Sequence, residues 1–142
     1  RDAYLAQVAC SNAAFKSNTF KPQEASNVLW SFAVLRHCPN PQLEMEIGGD
    51  VHKEQTLHTF IESLVDKAEA FGPQSIANSL WALAAMQEQH PKFVQSLGAA
   101  ALSKCSDFNA QGVANTLWSM ASLEVQCPTL VQALCTQATS DW

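Results

Sequence analysis

The sequence predicts an all-α fold: an α-solenoid of about three and a half helix-turn-helix repeats of 37 residues, with a 14-residue insertion in one repeat. Three observations predict it. One motif recurs three times without gaps. Apolar residues within the copies keep to one helical face. The connections are about four residues long, so neighbouring helices must run antiparallel.

The copies are FKPQEASNVLWSFAVL from Phe20 to Leu35, FGPQSIANSLWALAAM from Phe71 to Met86, and FNAQGVANTLWSMASL from Phe108 to Leu123. Trp81 and Trp118 lie 37 residues apart; Trp30 and Trp81 lie 51 apart, which is one period and 14 residues more. Chance does not place Phe, Gln, Asn, Leu, Trp and Ala at matching offsets three times.

In chain order, residues 1–19 read as a half repeat, with a helix over Asp2 to Phe15. Residues 20–70 form the first full repeat. Its insertion falls near residues 43–56, around Gly48-Gly49-Asp50, and reads as an acidic surface loop carrying Glu44 and Glu46. Its second helix follows from Thr56 to Ala70, with Leu57, Phe60, Ile61 and Leu64 on one side. Residues 71–107 are the next repeat. Pro73 suits a first helical position, where the missing N–H would be unpaired anyway, as does Pro22 in the first copy. Phe71 before the helix and Ile76 inside it have the spacing of a hydrophobic staple, repeated by Phe20 with Ala25 and Phe108 with Val113. Ile76, Leu80, Leu83 and Ala84 make one buried stripe. A second helix starts at Pro91 and ends near Lys104. Residues 108–142 repeat the pattern, with Pro128 opening the last helix. The chain opens on Arg1 inside a helical pattern, and Ser140-Asp141-Trp142 stops where a further repeat would begin, so a piece of a longer protein is expected.

Composition narrows the function. The net charge is −5, and the eight cations (Arg1, Lys16, Lys21, Arg36, Lys53, Lys67, Lys92 and Lys104) are scattered. Phosphate contacts need clustered Lys and Arg, so charge alone does not mark a nucleic-acid binder. The five cysteines, Cys10, Cys38, Cys105, Cys127 and Cys135, lack CxxC spacing. They read as reduced, apolar thiols in a core, and so as a sign of a reducing compartment. No apolar run reaches the length of a membrane span, and no signal peptide opens the chain.

No phosphate-binding loop, nucleophile elbow or catalytic carboxylate pair occurs, so no enzyme, no catalytic residue and no cofactor are expected. His37-Cys38 with His52 and His58 match no familiar ligand spacing, and no metal is expected.

The phrase from Phe71 to Ala84 resembles the octotricopeptide-type repeats of algal and dinoflagellate organellar translation factors, which are related to RAP and FAST-kinase-like repeat proteins. The resemblance covers nearly the whole chain apart from the insertion. It implies an α-solenoid that binds single-stranded RNA in a chloroplast, or else a mitochondrion, on the stromal or matrix side, and that serves RNA processing or translation. It also implies that the first helix of each repeat lines the concave, RNA-facing surface.

On that surface the candidate binding residues are Gln23, Glu24, Asn27 and Ser31; Gln74, Ser75, Asn78 and Ala82; Gln111, Gly112, Asn115 and Ser119. The invariant Asn27, Asn78 and Asn115 read as a structural ladder bonded to neighbouring groups. The varying Glu24, Ser75 and Gly112, with Ser31, Ala82 and Ser119, read as the better base-contacting positions. Phe20, Trp30, Phe71, Trp81, Phe108 and Trp118 read as structural core between repeats. No Lys or Arg occurs in Gln23–Leu35, Gln74–Met86 or Gln111–Leu123. This raises a rival use for the scaffold, as a structural or protein-docking subunit of a ribosome or photosynthetic assembly.

Overall fold

A computed structural model describes residues 20–36 and 50–140. The described residues are helical, with no strand among them. Six α-helices follow one another: α1 (Pro22–Arg36), α2 (Asp50–Leu64), α3 (Pro73–Met86), α4 (Pro91–Ser103), α5 (Ala110–Ser122) and α6 (Pro128–Ser140). Short 3₁₀ turns, Val65–Ala70 and Cys105–Asp107, lead into α3 and α5. The half repeat at 1–19, the start of the insertion, and the side chains of His37, Cys38 and His52 lie outside the described residues.

Four helices begin on proline, as their sequences dictate, α1 on Pro22. Pro73 occupies the first turn after Gly72, Pro91 follows His90, and Pro128 opens α6. α5 has no proline and caps itself differently: the Asn109 side chain accepts a hydrogen bond from the Gly112 N–H at 2.7 Å. α3 and α5 end alike. Glu88 N–H reaches Leu83 O and Gln87 N–H reaches Ala84 O; Val125 N–H reaches Met120 O and Glu124 N–H reaches Ala121 O. These are Schellman closures, built around Gln87 and Glu124 at φ 56° and 57°.

α1 packs along α3 and α3 along α5, forming one row; α4 packs on the turn after α2 and on α6, forming a second. The core lies between the rows. Phe60, Ile61, Leu64, Ile76, Leu80, Leu83, Phe93, Leu97, Leu130 and Leu134 are fully buried there. Burying each such side chain is worth about 1.5–3 kcal/mol. The entry phenylalanines tie the rows together. Phe71 meets Phe93 edge-on at 6.0 Å and Phe20 meets Phe60 at 6.4 Å. Phe71 and Phe108 are buried with Ile76 and Val113, as a staple requires.

Several expectations are corrected. Residues 50–56 are not loop: α2 begins at Asp50, so the latter half of the insertion lengthens the helix. Among the described cysteines, Cys105 and Cys127 are only half-buried and Cys135 is exposed, so these thiols are not core residues. Trp30 and Trp118 are not core either: 47% and 51% of their surfaces are exposed. Trp81 is half-buried and packs against the core from its edge.

Candidate functional site

A helix turns about 100° per residue, so positions spaced 4, 3 and 4 apart share one face. In α3 those positions are Gln74, Asn78, Trp81 and Ala85. Directly opposite lie the buried Ile76, Leu80 and Leu83. The same outward face holds Gln23, Asn27, Trp30 and Val34 in α1, and Gln111, Asn115, Trp118 and Ser122 in α5. Because α1, α3 and α5 pack in a row, Gln, Asn and Trp recur three times across one surface.

The flanks of these helices do different work. Ser75 and Ala82 in α3, and Gly112 and Ser119 in α5, are buried; their counterparts Glu24 and Ser31 in α1 are exposed. Ser26 and Ala33 in α1 and Ala77 and Ala84 in α3 are buried, whereas their α5 counterparts Ala114 and Ala121 are exposed. A flank is therefore buried where it meets a neighbour in the row and open where no described helix adjoins it. Small residues on facing flanks let the helices approach closely.

This corrects the choice of base-contacting positions. Ser75, Ala82, Gly112 and Ser119 are helix-packing residues. The hydroxyls of Ser31 and Ser119 turn back onto Asn27 O (2.8 Å) and Asn115 O (2.6 Å).

The structural ladder expected of the asparagines is not formed. Among the described residues, the side-chain amides of Asn27, Asn78 and Asn115 make no hydrogen bond, and Gln23, Gln74 and Gln111 are exposed. Gln74 and Asn78 from α3 face Gln111 and Asn115 from α5 across a cleft of about 350 Å³, with Asp107 at its edge. Each free amide offers donors and acceptors to whatever enters. Each exposed indole offers a flat apolar face.

Sequence reasoning missed the exposure of the tryptophans, although the signal was present. Trp81 lies three residues from Asn78 and seven from Gln74, on the polar side of the helix and not on the stripe of Ile76 and Leu80. A second cleft of about 650 Å³ separates α4 from α6 and is lined chiefly by aliphatic side chains such as Val94, Leu102 and Leu130. It lacks a repeated set of polar groups. No helix among the described residues is long and apolar enough to cross a membrane.

The family model described as "Protein of unknown function (DUF1601)" matches residues 67–80 and 105–117. The two matched segments are counterparts one period apart, each running from a 3₁₀ turn into a first-row helix. No curated protein and no solved structure matches the chain significantly.

Proposed function

We propose that the chain is a non-catalytic α-solenoid scaffold that binds single-stranded RNA along the outward face of α1, α3 and α5. The observation that carries this reading is the row of indoles, Trp30 and Trp118 exposed and Trp81 half-buried between them, each with an Asn one turn before it whose amide makes no hydrogen bond among the described residues. Bases splayed from a single strand stack on such rings, and amides reach their edges. The sequence resemblance to organellar RNA-binding repeats points the same way, and with it a place in organellar RNA processing or translation.

Among the described residues the face has no Lys or Arg, and Glu24 and Asp107 border it. Binding by this chain therefore rests on stacking and hydrogen bonds, and its salt dependence is shallow. Fluorescence anisotropy with a single-stranded RNA at two salt concentrations tests this. Micromolar binding that weakens in Trp30→Ala and Trp118→Ala is expected. Absence of binding, or binding indifferent to both substitutions, overturns the RNA reading.

The same lack of cations favours a second reading, a docking surface for a protein of an organellar assembly. A side-chain amide presents an NH2 group with two donors and a carbonyl acceptor, enough to pair with both the C=O and the N–H of a peptide group. Co-purification of a stoichiometric protein partner, released by the same Trp substitutions and joined to absent RNA binding, is the result expected of it.

A further inference from the structure

We propose a divalent transition-metal site, for zinc, formed by His58, Glu62 and His90. His58 and Glu62 sit one turn apart on α2, with Nε2 and Oε1 3.8 Å apart. His90 lies in the loop between α3 and α4, its ring 5.2 Å from that of His58. One donor atom from each of the three residues lies within 4.8 Å of the other two. Tetrahedral zinc with bonds of about 2.0–2.1 Å holds its donors roughly 3.4 Å apart. Closing the set needs only small rotations, and His58 and Glu62 are exposed enough to make them.

An independent observation points to a ligand. The His90 side chain is 5% exposed, and its Nε2 is wholly buried without a hydrogen-bond partner. Glu88 Oε2 stands 3.5 Å from that nitrogen, an ion pair only when the imidazole is protonated and not a hydrogen bond. A buried imidazole nitrogen without a hydrogen bond is destabilising, and a metal ion satisfies it. Two imidazoles and a carboxylate are a zinc donor set, and the exposed side of the cluster leaves a position for water.

The arrangement is private to this junction. One period onward, His58, Glu62 and His90 are replaced by Gln95, Ala99 and Cys127. The trio is therefore not part of what every repeat needs in order to pack. Bound zinc would clip α2 to the loop entering α4, closing a span of more than thirty residues and stabilising the folded chain.

The test uses the full chain, stripped with a chelator and titrated at neutral pH with zinc by calorimetry and with cobalt(II) by absorption. One ion per chain is expected, with a raised unfolding temperature. His58→Ala and Glu62→Gln alter exposed side chains and leave the fold intact; each is expected to weaken binding at least about tenfold. His37→Ala combined with His52→Ala is expected to change nothing. The proposal is overturned by the absence of a stoichiometric site, by unchanged affinity in both His58→Ala and Glu62→Gln, or by thiolate-to-cobalt absorption that places the ion on cysteine.

Discussion

Lys104 reaches back across more than thirty residues to the backbone entering α3: its Nζ donates to Phe71 O and to Glu69 O, both at 2.6 Å. The residue that caps one second-row helix thus holds the turn from which the preceding first-row helix starts. Lys67 occupies the equivalent position one period earlier. Two charged hydrogen bonds, the one to Glu69 exposed and the one to Phe71 part-buried, hold this junction. Lys104→Met is expected to lower stability by about 1–2 kcal/mol, read by urea denaturation as a lower midpoint with an unchanged slope.

A buried hydroxyl gives the opposite sign. Thr116 is fully buried and its Oγ1 has no partner; Ser79, one period earlier, is in the same state. The first copy carries Val28 at this position. Thr116→Val keeps the shape and removes the unpaired group, so stability is expected to rise by about 1 kcal/mol. A fall in the thermal midpoint would mean that the hydroxyl has a partner in solution.

The flank assignment predicts a contrast between equivalent positions. Ala82→Leu forces a large side chain between α1 and α3 and is expected to cost about 1–3 kcal/mol. Ser31→Leu places the same side chain on the exposed flank of α1 and is expected to stay within about 0.5 kcal/mol of the parent. Similar losses from both would show that the row does not pack on these flanks.

The exposed indoles separate binding from folding. Trp118 is half-exposed at the outer face, so Trp118→Ala is expected to change stability by less than about 1 kcal/mol. Stacking of one base is worth about 1–3 kcal/mol, so the same substitution is expected to weaken RNA binding by about 5- to 150-fold. Anisotropy titrations beside thermal melts measure both effects on the same preparation.

Helix ends offer a further test. Glu124 adopts a left-handed conformation that glycine adopts without strain, and among the described residues no side-chain hydrogen bond anchors it there. Gln87, in the same conformation, donates its side-chain amide to Ala84 O at 3.0 Å. Glu124→Gly is expected to stabilise by about 0.5–1 kcal/mol and Gln87→Gly by less, as compared by calorimetric midpoints.

The sequence made some of this legible for identifiable reasons. Proline forces its place, so the starts of α3, α4 and α6 were readable at Pro73, Pro91 and Pro128. The stripe through Ile76, Leu80 and Leu83 was readable because hydrophobic burial imposes its period. The orientation of the tryptophans was not, because size argued for burial while spacing placed them among Gln and Asn. The left-handed ends at Gln87 and Glu124 carried no glycine to announce them. The extension of α2 back to Asp50 was hidden by the neighbouring glycines at 48 and 49. The meeting of His58 with His90 is a product of tertiary packing, and no local pattern encodes it.

The threefold recurrence of Gln, Asn and Trp has a kinetic corollary. On the RNA-binding reading proposed above, a strand displaced by one rung meets the same chemical groups again, so neighbouring alignments are nearly equal in energy. Such a surface tolerates sliding and holds many sequences with little preference. Discrimination among targets then has to come from places where the rungs differ, such as Val34, Ala85 and Ser122 at their far ends.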